Sequence, residues 1–479
     1  MKKTIVILLI ALLGLLVVTG CEETEEENGD VEVEVHETDV VVVGAGSAGM
    51  MAAMEVADLE KDVILLEKMS FAGGSTARAG GSFLAVGSSI NEKLDMHYPE
   101  EDLVEFLMEE SDGTANEELL RRVISISGET ADLMMDRGIE LDTENLLSGN
   151  PKREELWRVQ AEGGGSGLAL NLVEAVENKD IDLRYDSPAT ELLHEDGVVT
   201  GVVVEGPEET YHIQAEKVIL ATGGFARDEA LFAELLPDYA DNVLLTATGN
   251  TGDAIDMTRE LDSTLVGDGV LGIFAVNERY GYMGDIGSLI WESALYVNKE
   301  ATRFCNEREF YVQRHQALNE QTDKLTYGIF DSSDHTESLE EAVEAEVAFK
   351  GDTLEELADA VGIDPDTFTN TVETYNHDYE AGEDSQFGMS AEEMTPVTEG
   401  PFYALKIRPA TMGTIPGLKV DVDTRVLNQD GEPIPNLFAA GETVIGNMIM
   451  DEYPSSGMGI GSAFFTGRIA AMEAVAEIE

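Results

Sequence analysis

The sequence predicts an α/β protein, and three observations carry that prediction. A β-branched run, Val40 to Val43, ends in the turn Gly44-Ala45-Gly46-Ser47-Ala48-Gly49, which opens a helix. A second short strand, Val63-Ile64-Leu65-Leu66, follows and ends on an acid, Glu67, 23 residues after Gly44. Strand, glycine turn, helix and strand in that order make a βαβ unit. Finally, 479 residues with 43% apolar content suffice for a large core and point to two domains, since single cores rarely grow past about 250–300 residues.

The glycine spacing has a mechanism. Gly44 permits the tight turn, Gly46 lets the backbone approach a pyrophosphate, and Gly49 lets the helix pack on the strand, so that helix N–H groups point at phosphates. Glu67 ends its strand where a ribose hydroxyl would be held. The unit therefore predicts a dinucleotide site.

Ahead of it, residues 1–20 carry two lysines, an apolar run from Ile5 to Val18, and then Val18-Thr19-Gly20-Cys21. That layout is a secretory leader, and its last four residues resemble a bacterial lipobox, in which Cys21 becomes the lipidated first residue. The expected location is extracytoplasmic, lipid-anchored to the cell membrane. Residues 21–36 open with an acidic, polar stretch that reads as a tether. The only other cysteine is Cys305 and there is no C-x-x-C-H, so neither an intrachain disulfide nor a resident c-type haem is expected. No metal site is read from the sequence.

Beyond Glu67, the run Phe71 to Gly81 is too glycine-rich for an element interior, and its small residues suit a backbone lying against a flat ring. Residues 117–137 read as one amphipathic helix, followed by the glycine loop 163–165. A helix over 168–178, a strand around Leu183-Arg184-Tyr185 and a hairpin from Leu192 to Val204 turning at Asp196-Gly197 come next. Lys217 to Gly224 reads as a buried strand ending in a glycine turn. Thr353-Leu354-Glu355-Glu356 is a capping box for a helix that stops at Gly362, and Asp364-Pro365 is an N-cap with proline in the first helical position. The acidic run Glu340 to Glu346 reads as a solvated helix face. Near the end, Gly457 to Ser462 leads into an apolar helix over 463–475.

Acids outnumber bases 96 to 29, for a formal charge of −67, and they are spread along the chain. Nucleic acid and anionic lipid surfaces are excluded as partners. We read the charge as an adaptation to high salt, which screens the self-repulsion of such a surface.

The leading glycine turn, the Gly73-Gly74 to Gly80-Gly81 loop, Ala221-Thr222-Gly223-Gly224, Gly249-Asn250-Thr251-Gly252-Asp253 and Leu437-Phe438-Ala439-Ala440-Gly441-Glu442 occur in this order. Together they resemble the FAD-binding flavoproteins of the fumarate reductase and succinate dehydrogenase group, which includes flavocytochrome c, urocanate reductase and the ketosteroid dehydrogenases. The resemblance covers about residues 37–479. It implies a Rossmann-like FAD-binding domain, residues 37–255 and 401–479, with an inserted α+β capping domain, residues 256–400. It also implies that FAD is held by Gly44, Gly46, Ser47, Gly49, Glu67, Lys68, Gly73, Gly74, Ser75, Thr76, Gly80, Gly81, Thr190, Ala221, Thr222, Gly223, Gly224, Gly252, Asp253, Gly441, Glu442, Gly457, Gly459 and Ile460. No histidine sits in the Gly73 to Gly81 loop, where covalent members carry the flavin-linking one, so FAD is expected to be non-covalent. The final helix would aim its N-terminus at the flavin pyrimidine.

The resemblance to fumarate reducers breaks where they grip a dicarboxylate. Arg303-Phe304-Cys305-Asn306-Glu307 is present, but their catalytic arginine falls on Tyr311; their histidine falls on Ala410, and their Asn-Arg-Leu-Gly-Gly reads Glu452-Tyr453-Pro454-Ser455-Ser456-Gly457. The replacements resemble the ketosteroid dehydrogenases, which implies proton transfer by Tyr311 and hydrogen bonding of a substrate carbonyl by Tyr453 and the Gly457 N–H. The expected activity is hydride plus proton transfer at a conjugated C=C bond, with fumarate itself not the expected substrate, and with a separate electron-transfer protein or quinone-linked donor. A ketosteroid-dehydrogenase-like desaturase and a non-catalytic surface electron carrier remain open. Arg408 and His315 read as a salt-bridged or solvated arginine and a structural histidine.

Because the Debye length is only about 3 Å at 1 M salt, the acidic surface predicts a fold that loses stability below a few tenths molar salt. Thermal unfolding followed across a salt series checks this, and an unchanged melting temperature on desalting would refute it.

Overall fold

The computed structural model describes residues 33–478, except 151, 152, 334 and 452. The leader, Cys21 and most of the tether lie outside the described residues.

Val40–Val43 are fully or almost fully buried, and they occupy the centre of an eight-stranded sheet. Strand Glu34–Val43 runs parallel to Val63–Leu66 on one side and to Thr210–Leu220 on the other. Asp182–Arg184 extends the sheet beyond Val63–Leu66, and Pro433–Ala439 returns from near the C-terminus to lie parallel to Thr210–Leu220. A hairpin, Ala189–Glu195 with Val198–Glu205, joins the edge of Thr210–Leu220 in antiparallel fashion. Continuous β-branched and leucine runs suit a parallel sheet covered on both faces. One cover is the helix Ser47–Asp58 with the helix Met458–Ala476 packed against it, the latter buried almost all round over its first fourteen residues.

A second, six-stranded sheet is organised on the long strand Phe402–Thr414, which pairs antiparallel with Val270–Ala275, Thr326–Phe330 and Ala348–Gly351. A small antiparallel sheet of Ser82–Leu84, Leu147–Asn150 and Arg153–Gln160 forms a third layer element. Nothing in the sequence pattern marks it, because its strands are short and distant.

The region read as one helix over 117–137 is two, Glu117–Ser125 and Ser127–Asp136, broken at Ile126. The Ser127 hydroxyl donates to the Ile124 carbonyl and accepts from the Val86 amide, and a Cβ on Gly128 would lie 2.2 Å from the Val86 oxygen. Close approach of the Val86–Ser88 chain, not helical periodicity, sets the break. At Thr353 the side chain caps Glu356 as expected, but Glu356 reaches back to the Asp352 amide rather than to Thr353. Asp364 caps Thr367 with Pro365 in the first turn. The 340–346 run lies on and just beyond helix Thr336–Glu344, with Leu339 and Ala342 buried.

A buried ion network supports the start of helix Tyr311–Asn319. Arg303 donates to Glu307 and, through both terminal nitrogens, to Asp384 at 2.7 and 3.0 Å, and all three side chains are fully buried. Glu307 also accepts from the Tyr296 amide at 2.8 Å, and its carbonyl accepts from Arg314, whose guanidinium lies over Phe274 and Trp291. Removing one partner of such a network leaves an uncompensated buried charge, which costs about 3–5 kcal/mol. Arg303→Gln, which leaves the buried Glu307 and Asp384 carboxylates without their cation, is therefore expected to lower unfolding free energy by that amount in denaturant titrations, and a change under about 0.5 kcal/mol, typical of surface sites, would contradict it.

Candidate functional site

One cavity of about 1010 Å³ runs between the sheets. At one end it is lined by the turn that follows strand Glu34–Val43. Gly44 has φ +103°, and a Cβ there would lie 2.4 Å from the Ala221 oxygen. Gly46 has no atom within 4 Å of a Cβ position and faces the cavity. It caps helix Ser47–Asp58 with no side-chain hydrogen bond, which leaves first-turn amides beyond that of Ser47 for a ligand.

The Glu67 carboxylate lines the same wall and accepts from the amides of Ala45 and Met69 at 3.0 and 2.8 Å. Burial raises its pKa against those two hydrogen bonds. Lys68 donates to Asp253 at 2.7 Å and to Thr251 at 2.5 Å, so these two expected cofactor residues meet each other at the rim.

The 73–81 loop is tied in from both sides. The Thr76 hydroxyl accepts from the Ser47 amide, and the Ser75 hydroxyl accepts from the Ala247 amide and from Asn250. Gly81 packs on Gly164, where a Cβ would meet backbone at 2.3 Å, so the 163–165 glycines serve this loop. The Glu442 carboxylate accepts from the Thr414 amide at 2.8 Å and from Asn250 at 3.1 Å, and burial raises its pKa.

Of the expected cofactor residues, Gly44, Gly46, Ser47, Glu67, Lys68, Gly74, Ser75, Thr76, Gly80, Gly81, Ala221, Thr222, Gly223, Asp253, Gly441, Glu442, Gly457, Gly459 and Ile460 line the cavity. Gly49, Gly73, Gly224 and Gly252 stand outside that lining and serve backbone approach; a Cβ on Gly224, for example, would lie 2.2 Å from a Glu442 oxygen. Thr190 is exposed on its strand, and Ala189 lines the cavity instead. The alternation of a strand puts neighbours on opposite faces.

The other end brings Tyr311, Tyr453 and Gly457 together. The two rings are 6.3 Å apart at their centroids. The Tyr453 oxygen accepts from the Gly459 amide at 2.9 Å, at the uncapped N-terminus of helix Met458–Ala476. With that oxygen already accepting, its proton is free to be donated into the cavity. The Ser456 hydroxyl donates to the Tyr311 oxygen at 3.1 Å. Burial pushes the Tyr311 phenol well above its ordinary value, reinforced by Tyr453, and raises that of Tyr453 as well.

Gly457 has φ +92°, and a Cβ there would lie 2.9 Å from the Leu84 nitrogen. The 454–457 turn is held by the small sheet: Asn150 donates to the Pro454 carbonyl at 2.7 Å and the Ser456 amide donates to the Gly149 carbonyl at 2.9 Å.

Arg158, Tyr282, Trp291 and Phe310 also line this end and were not legible in the sequence, which carries no motif around them. Ala410 is buried outside the lining while Met412 faces the cavity. Arg408 donates to the Asp241 carbonyl and does not reach the cavity. His315 stacks on Tyr239 and contacts Asn242 and Asn319; burial pulls its pKa down to about 4, as for a structural neutral imidazole. Among the described residues no group of three or more His, Cys, Asp or Glu could hold a metal ion, and no helix is long and apolar enough to cross a membrane.

The volume of the cavity, about 1010 Å³, the open Gly46 cradle and two helix N-termini without an N-cap side chain fit an extended dinucleotide such as FAD. Comparisons with known proteins agree. The family model described as FAD binding domain matches residues 39–459. A urocanate reductase of Eggerthella lenta is 30% identical over 458 residues, 92% of this chain and 75% of that protein. The open conformation of a flavocytochrome c3 fumarate reductase superposes with a TM-score of 0.77 at 27% identity, over 92% of this chain and 78% of that one. The 3-ketosteroid-Δ4-(5α)-dehydrogenase of Rhodococcus jostii RHA1 gives 0.75 at 26% identity, over 93% and 98%. Some relatives are much longer: the chain spans 46% of an NADH:fumarate oxidoreductase of Klebsiella pneumoniae. With glycine turns from across the chain lining one cavity and the family model spanning nearly all of them, this protein belongs to the FAD-binding-domain family and is an FAD-dependent oxidoreductase.

Proposed function

We propose that the protein reduces a C=C bond conjugated to a carbonyl or carboxyl group. The observation that carries this reading is the convergence of Tyr311, Tyr453 and the Gly457 turn on one cavity end, with Tyr453 buried and Tyr311 partly buried. Bound FAD, held without a covalent link by the Gly44–Gly49 turn, Glu67, the 73–81 loop and Gly457–Ile460, supplies the hydride.

The chain's own residues do the rest. The Tyr453 hydroxyl and the Gly457 N–H donate to the substrate carbonyl oxygen, where negative charge develops; losing one such donor costs about 2.7–4 kcal/mol. The Tyr311 phenol gives its proton to the substrate α-carbon, and the Ser456 hydroxyl hydrogen-bonded to it can replace that proton. Aromatic walls exclude water from the site. Residues 256–400 act as the cap over this end.

The lost arginine and histidine positions argue against fumarate. The desaturase direction is the reverse of the same steps and is supported by the likeness to a ketosteroid dehydrogenase. Residues 1–21 support export and a lipid on Cys21. In this reading a quinone-linked, haem or FMN protein delivers the electrons.

Stopped-flow reoxidation of photoreduced enzyme by a panel of enones and acrylates tests the reading; reoxidation by oxygen alone would refute it. Tyr311→Phe is expected to slow turnover about 10²–10⁴-fold with FAD content unchanged, whereas an electron carrier would be indifferent to the change. Because burial raises both phenols above their ordinary value of about 10, the donating, protonated forms persist through neutral and mildly alkaline pH. The rate is expected to fall only as pH climbs past that value. A tyrosine-dependent loss with a midpoint under about 9 in the pH profile would contradict the assignment.

A further inference from the structure

We propose that Arg158 is the specificity-determining residue of the site and that it selects a planar, conjugated carboxylate; this rests on the C=C reading above. Arg158 lies on strand Arg153–Gln160 and lines the cavity. Its Nε donates to the Ser148 carbonyl at 2.8 Å and its Nη1 to the Ser82 hydroxyl at 2.9 Å. These two bonds fix the plane of the guanidinium. Its Nη2 has no partner among the described residues, and no carboxylate lies within ion-pair distance.

Among the described residues Arg78, Arg279, Arg308, Arg314 and Arg408 also lack a carboxylate partner, but it is Arg158 that lies beside Tyr311 and Tyr453. With 96 acids against 29 bases, arginines readily find carboxylates: Arg121, Arg122, Arg137, Arg303 and Arg468 each hold two. The acids that line the cavity are Glu67, Asp253 and Glu442. Asp253 is taken by Lys68, Glu67 by the Ala45 and Met69 amides, and Glu442 by Thr414 and Asn250. The charged or ionisable neighbours of Arg158 are instead the two reaction-end phenols, Tyr311 and Tyr453. A partly buried cation without a counter-ion is costly to keep, and a ligand carboxylate supplies both the missing charge and the acceptor for Nη2.

The shape of the ligand follows from the walls. Tyr282, Trp291, Phe310, Tyr311 and Tyr453 line the same end, with Phe310 and Tyr311 4.4 Å apart and Tyr282 and Trp291 6.5 Å apart at their ring centroids. These rings pack on one another and tile the wall, and an aromatic wall favours a flat π-system laid against it. A fixed cation inside the site is what lets an anionic substrate be preferred to its neutral analogue. An arylacrylate satisfies all of these conditions.

The test is a binding titration of the oxidised, FAD-loaded enzyme, read by perturbation of the flavin absorbance, with cinnamate and cinnamamide as probes. The native enzyme is expected to bind cinnamate more tightly than the amide. Arg158→Gln should weaken cinnamate about 10–100-fold, the range of a lost charge-assisted hydrogen bond, and leave cinnamamide within about twofold. If Arg158→Gln does not take up FAD, Arg158→Lys decides: it should keep a reduced preference for the carboxylate. Equal affinity of the native enzyme for the two probes, or equal loss of both in either variant, overturns the proposal. Binding to oxidised enzyme is measured here, so a failure of the C=C reading, seen as no reoxidation of reduced enzyme, is a separate result.

Discussion

The constraint on which the structure depends is the close approach of two helices remote in sequence. Gly467 of helix Met458–Ala476 lies so near helix Ser47–Asp58 that a Cβ would sit 2.3 Å from the Ala48 oxygen, and Gly441 is similarly close to Ala48. The Gly441 amide donates to Thr466 at 2.9 Å and locks the returning strand to the same pair. Two helix N-termini are thereby held at one cavity. A larger side chain at either contact would separate the nucleotide end from the reaction end.

From that contact the chemistry of the site follows as a problem of burial. Phenols taken out of water resist ionisation, so Tyr311 and Tyr453 are kept as donors. The amide at the start of helix Met458–Ala476 occupies the Tyr453 oxygen and Ser456 occupies that of Tyr311, which leaves their protons for a ligand. The same dry surroundings make Arg158 a strong local charge because no acid neutralises it. The buried Arg303–Glu307–Asp384 network, in which one guanidinium is shared by two carboxylates, holds the segment that delivers Tyr311.

The nucleotide half was legible because its requirements are local. A tight turn, a close backbone approach and an acid at the end of a strand leave marks within about thirty residues, and Gly44, Gly46 and Glu67 all line the cavity. Thr190 was misplaced by one position, since on a strand a single step reverses the face. The helix over 117–137 was read as continuous because periodicity reports which face is buried and is silent about a chain crossing it at Gly128. At the other end of the cavity, Tyr311, Tyr453 and Gly457 lie in runs that the family resemblance covers, and Arg158 does not.

By itself, then, the amino-acid sequence determined the α/β class, the glycine cradle and the acidic composition. These rest on short-range spacing and on side-chain chemistry, which need no knowledge of distant neighbours. Tertiary structure alone decided that the small sheet of Ser82–Leu84, Leu147–Asn150 and Arg153–Gln160 clasps the Tyr453 turn and carries Arg158 into the cavity. That outcome depends on hydrogen bonds between segments up to three hundred residues apart and on the absence of a carboxylate beside one guanidinium, and neither leaves a trace in local sequence.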